Sequence, residues 1–184
     1  MKHISSHRAF TLIELLVVIS IIGILAGLAF TGVEGARTSA LRLQAKNDVV
    51  QIANAVLAFE TEYGRLPIPA GTPEEAGDVT EELVNVLMGN ESVPANERLN
   101  PRRIVFLEVS PKTPGSKRSG LLNGAFVDPW DNAYQIILDA NYDNIIMVPP
   151  ATGGADIELR RRVGVWNQGA PVNPKSRTSL TSWD

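Results

Sequence analysis

Residues 10–30 read FTLIELLVVISIIGILAGLAF, an unbroken apolar run of 21 residues whose polar members are Thr11, Glu14 and Ser20. A helix rises about 1.5 Å per residue, so this run can span a hydrocarbon core about 30 Å thick. Lys2 and Arg8 precede it, which keeps the N-terminus cytoplasmic and sends the C-terminal part across. A secretory signal peptide is the plain alternative, and Gly27, Leu28 and Ala29 would offer it a small-x-small cleavage site. Against that, the run exceeds the about 7–15 residues of a signal-peptide core. It also holds Glu14, and a carboxylate deep in a bilayer costs at least about 2.5–3.5 kcal/mol. A charge kept at that cost usually has a partner. Thr11 and Glu14 have capping-box spacing as well, with the acid three residues after a Thr N-cap. That accounts for a helix start, but not for a start inside so apolar a segment.

The stretch Arg8-Ala9-Phe10-Thr11-Leu12-Ile13-Glu14-Leu15-Leu16-Val17-Val18-Ile19 closely resembles the class III signal of type IV pilins and type II secretion pseudopilins. The resemblance implies a prepilin peptidase that cuts between Ala9 and Phe10 and N-methylates Phe10. Glu14 then becomes the fifth mature residue, whose carboxylate in that family meets the N-terminal amine of a neighbouring subunit. Two departures stand out. Ala9 occupies a place usually held by Gly, and being small is expected to be tolerated. Many members carry a Pro near the end of the apolar helix, where this chain has Thr31, followed by Gly32 and Gly35. Glycine weakens a helix by about 1 kcal/mol relative to Ala, so Gly23, Gly27, Gly32 and Gly35 offer comparable softness. Gly23 and Gly27 also form a small-xxx-small pair that lets helices approach closely, although glycine is common in membrane helices in any case.

Past residue 30 the helical pattern becomes amphipathic. Leu41, Ala45, Val49, Ile52, Val56 and Phe59 make one apolar stripe, with Asn47, Gln51 and Asn54 opposite. Gly64 is a natural C′ residue and Pro67 forbids continuation, so one helix is predicted over about 10–63. The organisation expected is a leader at 1–9, a membrane and assembly helix at 10–30, an amphipathic stalk at 31–67 and a head at 68–184. Within the head, residues 68–125 are irregular, with a short helix over about 80–88 ended by Gly89, a strand over 103–109 and an exposed loop over 111–120. Strands are expected at 133–138, 145–148 and 161–166. The fold class is α+β, a small antiparallel sheet against the C-terminal half of the long helix.

Three further segments sharpen the resemblance. Glu62-Tyr63-Gly64-Arg65-Leu66-Pro67 is similar to the helix exit of pseudopilins. Asp128-Pro129-Trp130-Asp131-Asn132-Ala133-Tyr134 resembles the Asp-Pro-Trp-Gly-x-Pro-Tyr motif of the major pseudopilin, and the chain closes on Thr181-Ser182-Trp183-Asp184, like that protein's Ser-Trp ending. The major pseudopilin also binds calcium in its last loop. Here the loop at 166–177 has no acid and contains Lys175 and Arg177, which puts that site in doubt. The other calcium candidate is Asp139, Asn141 and Asp143, oxygen ligands at alternate positions. It lacks the EF-hand glycine and closing Glu, and a polar hairpin turn is the favoured reading. Arg160-Arg161-Arg162 is read chiefly as a solvated edge that discourages mispairing, with contact to an acidic neighbour or nucleic acid as the alternative.

Charge and composition narrow the function. The 184-residue chain carries 17 Lys+Arg, 20 Asp+Glu and no Cys, and its net charge is −3. No strong basic field draws it to nucleic acid. Its two histidines, His3 and His7, lie in the leader, and loss of the leader takes Lys2 and Arg8 but no acid, leaving −5. Ser-His-Asp and Cys-His catalysis and the usual zinc sites are then excluded. The expectation is a structural subunit that is cleaved, inserted in the inner membrane with its head in the periplasm, and assembled into a type II secretion pseudopilus. No cofactor is expected beyond the weak calcium candidate. The partners implied are copies of itself, other pseudopilins, the prepilin peptidase and the inner-membrane assembly platform. A type IV pilus subunit is the alternative, and a membrane-tethered enzyme relying on carboxylates alone comes third.

Overall fold

The computed structural model describes residues 10–149, 155–167 and 179–183, and of residues 28–32 the backbone only. The leader, and with it Ala9, lies outside these residues, as does most of the 166–177 loop. Helix α1 spans Leu12–Tyr63. The chain clusters into two units, Met1–Ser39 and Ala40–Asp184.

From Leu12 to Leu25 in the first unit the large apolar side chains of the helix are exposed. Leu12 and Ile13 are 83% and 69% exposed, and the exposure continues through Leu15, Leu16, Ile19, Ile22, Ile24 and Leu25. Among the described residues no helix is long and apolar enough to cross a membrane. The span expected at 10–30 includes residues 28–30, whose side chains are outside the description.

The second unit is built on the predicted stripe. Ala45, Val49, Ile52, Val56 and Phe59 are all fully buried. Val49, Ile52, Val56 and Phe59 pack into one core with Leu66, Val79, Val84, Leu87, Tyr134, Ile136, Leu138, Val163 and Val165. The α+β arrangement follows from how these residues alternate. Strands β1 (Gly77–Asp78), β4 (Gln135–Leu138), β7 (Val163–Asn167) and β8 (Leu180–Thr181) form an antiparallel sheet in the order β1-β4-β7-β8. Successive strand residues face opposite sides, so Ile136, Leu138, Val163 and Val165 meet the helix. Ile137 and Trp166 meet Ile146 and Val148 on the other face. Those last two belong to a hairpin of β5 (Ile146–Val148) and β6 (Ile157–Leu159). Between the two layers sits Gly164, where a Cβ would come within 2.9 Å of the Ile146 side chain and 3.2 Å of Ile137. A second hairpin pairs β2 (Gly120–Leu122) with β3 (Ala125–Val127).

The short helix α2 runs over Glu81–Met88, capped by the Thr80 side chain accepting from the Leu83 N–H and closed by Gly89 at φ 67°. The strand expected at 103–109 does not form. The N–H groups of Phe106 and Leu107 both donate to the Leu87 carbonyl, so this segment satisfies the open end of α2 instead of joining a ladder. Asn100 pins it: fully buried, its amide donates to the Val86 and Ile104 carbonyls and accepts from the Tyr63 hydroxyl and the Ile104 N–H.

The Asp-Pro-Trp segment is a connector between β3 and β4. The buried Asp128 carboxylate accepts from the N–H groups of Trp130 and Asn132 and from the Asn132 amide, which organises the turn. Burial pushes this carboxyl above its usual range, while the hydrogen bonds from Asn132 and Trp130 and the charge of Lys112 pull it back. Asp131 occupies the place where the resembling motif has Gly and takes φ 67°, a conformation that costs a side chain about 1–2 kcal/mol. Its carboxylate pairs with the fully buried Lys112 ammonium at 2.6 Å, which offsets that cost.

Arg162 corrects the solvated-edge reading of the arginine run. Arg160 and Arg161 are exposed, but Arg162 pairs with Glu60 of α1 and with the wholly buried Asp139 at 3.2 Å, and its guanidinium lies 4.7 Å from the centre of the Tyr142 ring. It ties the long helix to the turn between β4 and β5.

Two outcomes follow. A fragment of residues 38–184 is expected to be soluble and to melt cooperatively, since its apolar stripe is already covered; circular dichroism on heating checks this, and an aggregated, non-cooperative product contradicts it. In that fragment, Arg162→Met is expected to cost roughly 3 kcal/mol, the low end for removing one partner of a buried pair, because the guanidinium is a quarter exposed. Urea titration measures it, and a loss under about 0.5 kcal/mol, the size of an ordinary surface effect, refutes the tether.

Candidate functional site: the N-terminal helix start

The start of α1 is fixed by the capping box that the spacing predicted. Thr11 stands at the N-cap; its N–H donates to Glu14 Oε2 at 2.9 Å, its hydroxyl donates to the same oxygen at 2.8 Å, and its Oγ1 accepts from the Glu14 N–H at 3.3 Å. The other polar side chain of the segment, Ser20, donates its hydroxyl to the Leu16 carbonyl at 2.8 Å. Both hydroxyls are thus satisfied within their own helix. Glu14 differs, because a carboxylate offers about four acceptor positions and the cap does not exhaust them. It also sits in an apolar setting: Phe10, Ile13, Glu14, Val17 and Val18 line one shallow groove along a helix face. Phe10 is 78% exposed and precedes the cap by one residue. Gly23 and Gly27 both face open space, with no atom within 4 Å of where a Cβ would lie. The segment is therefore an exposed apolar rod carrying one acid near its start.

The calcium candidate lies elsewhere, in the β4–β5 turn, and its oxygens are largely engaged by the turn itself. Asp139 accepts from the N–H groups of Asp143 and Asn144, Asn141 Oδ1 accepts from the Asp143 N–H, and Asp143 Oδ1 accepts from the Ile145 N–H. Tyr142 and Asn144 take positive φ of 64°, as tight polar turns require. Among the described residues no group of three or more His, Cys, Asp or Glu is arranged to hold a metal ion. Sequence reasoning missed Glu74, which the fold brings against this turn although no local pattern announces it. Its Oε2 is buried without a hydrogen-bond partner. Burial first, then the charges of Asp139 and Asp143, push the Glu74 carboxyl above its usual range, against the opposing N–H groups of Asn141 and Ala140.

A raised folded-state value means that stability is full below the ordinary Glu value of about 4.3 and is lost as pH rises through the raised one. Glu74→Gln removes the charge, so the variant is expected to melt higher than wild type at pH 7, and the gap is expected to close below about pH 4. Melting curves of the 38–184 fragment across this range check it. A gap that does not change with pH contradicts the assignment.

Comparison with known proteins bears on both ends of the chain. Residues 4–30 match the family model of the prokaryotic N-terminal methylation motif. The type II secretion system core protein G of Klebsiella michiganensis is 27% identical over 140 residues, covering 76% of this chain and 80% of that protein. The core protein G of Aeromonas hydrophila is 26% identical over 158 residues, 86% of this chain and 91% of its own. That of Dickeya chrysanthemi is 24% identical over 162 residues, 88% of each. No solved structure matches the chain. The chain thus carries a prokaryotic N-terminal methylation motif on an exposed apolar helix start and is similar along most of its length to the core protein G of type II secretion systems.

Proposed function

We propose that the chain is a structural subunit of a type II secretion pseudopilus and not an enzyme. The observation that carries this reading is the uncovered apolar helix start under the methylation motif. An apolar surface of that extent needs lipid or other helices around it. Before assembly the inner membrane supplies the cover, with the N-terminus cytoplasmic and the head in the periplasm. Afterwards, neighbouring copies and other pseudopilins supply it. A prepilin peptidase cuts between Ala9 and Phe10 and N-methylates Phe10, and the assembly platform draws the mature subunit into the filament.

Glu14 gives the order of events a physical basis. In the precursor it lies within about 6 Å of the helix start at 1.5 Å per residue, near headgroups and water. When apolar helices bundle, that contact is lost, and an unpaired buried charge costs roughly 3–5 kcal/mol. The amine of a neighbouring Phe10 is the fitting partner, and it exists only after cleavage. Uncut chains therefore stay out of the filament. Gly23 and Gly27, open in the single chain, give neighbouring helices room to approach.

Glu14→Leu is expected to insert and still be cut, yet to yield few or disordered filaments, while Glu14→Asp keeps part of the yield. Counting filaments from cells with the wild-type assembly machinery, with insertion and cleavage scored separately, is the test. Normal yield from Glu14→Leu leaves the capping box as the whole account of Glu14 and refutes the pairing.

A further inference from the structure

The stalk part of α1 carries a second stripe that the head does not cover. Leu43, Val50 and Leu57 recur every seven residues, and Leu43 and Leu57 remain 71% and 40% exposed. Along this stripe Val50, Ala53, Asn54 and Leu57 floor a groove whose other wall is Arg161 and Val163 from the start of β7. Apart from Asn54 the floor is apolar, and the rim carries Arg161. Arg162 in the same wall is committed to Glu60 and Asp139, whereas Arg161 is exposed. A groove of this kind fits an acidic segment with small side chains.

The chain itself holds such a segment. Residues 74–82 read EEAGDVTEE, and Glu75, Asp78, Glu81 and Glu82 are all exposed. The position of Glu81 and Glu82 in the first turn of α2 has its own explanation, since the helix N-terminus favours acids. Asp78 accepts from the amide of Gln135, its partner across the β1–β4 pair, and remains exposed, whereas Glu75 has neither reason. Small residues, Ala76 and Gly77, lie between these acids. Strand β1, Gly77–Asp78, is also the edge of the four-stranded sheet.

Resting on the pseudopilus reading, we infer that the groove of Val50, Leu57 and Arg161 receives the acidic 74–82 segment of a second copy of this chain. A helical filament repeats a head-to-tail contact, which needs two different patches on each subunit. A mature chain of net charge −5 repels its copies unless a basic patch meets an acidic one, and such complementarity sets register and partner choice. The groove and the segment supply the two patches.

The full chain, expressed with its assembly machinery, tests this. Arg161→Glu is expected to lower filament number at least about tenfold, as like charges come together, without affecting insertion or cleavage. Adding Glu81→Arg and Glu82→Arg to the same chain is expected to restore filaments. Because the chain has no Cys, Leu57→Cys with Ala76→Cys reports the contact directly, through disulfide-linked ladders that need both substitutions. Wild-type filaments together with normal Arg161→Glu yield overturn the inference and leave the subunit reading intact. Failure of the charge swap with no ladder, or cross-links to a different protein, overturns it as well. A wild-type chain that makes no filament refutes the subunit reading and this inference together.

Discussion

The structure depends on an apolar helix segment whose described side chains stand exposed. From Leu12 to Leu25 large apolar side chains point outward on every side, and nothing in the described residues of that unit covers them. Soluble monomers rarely tolerate an exposed apolar surface of that extent. In the proposed function lipid or neighbouring helices supply that cover. In the proposed function Glu14 sets the terms of the exchange between those two environments, because neither hydrocarbon nor an all-apolar bundle satisfies a carboxylate.

The head obeys the opposite rule: nearly everything that needs a partner finds one in the same chain. The stripe from Ala45 to Phe59 is sealed by the β1-β4-β7-β8 sheet. Its buried polar groups are locked as well: Asn100 uses both ends of its amide, Lys112 is held by Asp131 and the Asp128 carbonyl, and Asp139 is held by Arg162 and the turn N–H groups. Such networks are costly to leave half satisfied, and they place the irregular 68–125 region as firmly as a ladder would. Among the described residues the exceptions are a buried Glu74 oxygen and Arg162 Nε, neither with a hydrogen-bond partner, although Arg162 Nε lies 3.2 Å from the Asp139 carboxylate.

What could be read from residues alone follows from how local each signal is. The 3–4 spacing of the stalk stripe, the stops at Gly64 and Gly89 and the Thr11–Glu14 box all depend on neighbours within a turn or two, and all are in the structure as predicted. The three strands expected after residue 133 appear within two residues of where they were placed, as β4, β5 and β7, whereas β6 was not expected. Residues 103–109 misled because alternation cannot say whether a ladder partner exists; here the partner was the open end of a helix. The β2–β3 hairpin and the two-residue edge strands were too short to show a period. Arg162 and Glu74 were beyond reach for another reason: their roles come from contacts across the fold, with Glu60 more than 100 positions from Arg162. At the N-terminal site the motif and the cap were legible, whereas the bareness of the helix surface became evident only from the folded chain.

The central claim is that cleavage just before Phe10 creates the amine that the bare helix and its carboxylate await. Intact-mass and terminal-peptide mass spectrometry of the chain recovered from membranes or filaments measures this directly. The account predicts a chain lacking residues 1–9 and beginning at an N-methylated Phe10. A mature terminus at Phe30, the product of an ordinary signal peptide, would contradict it.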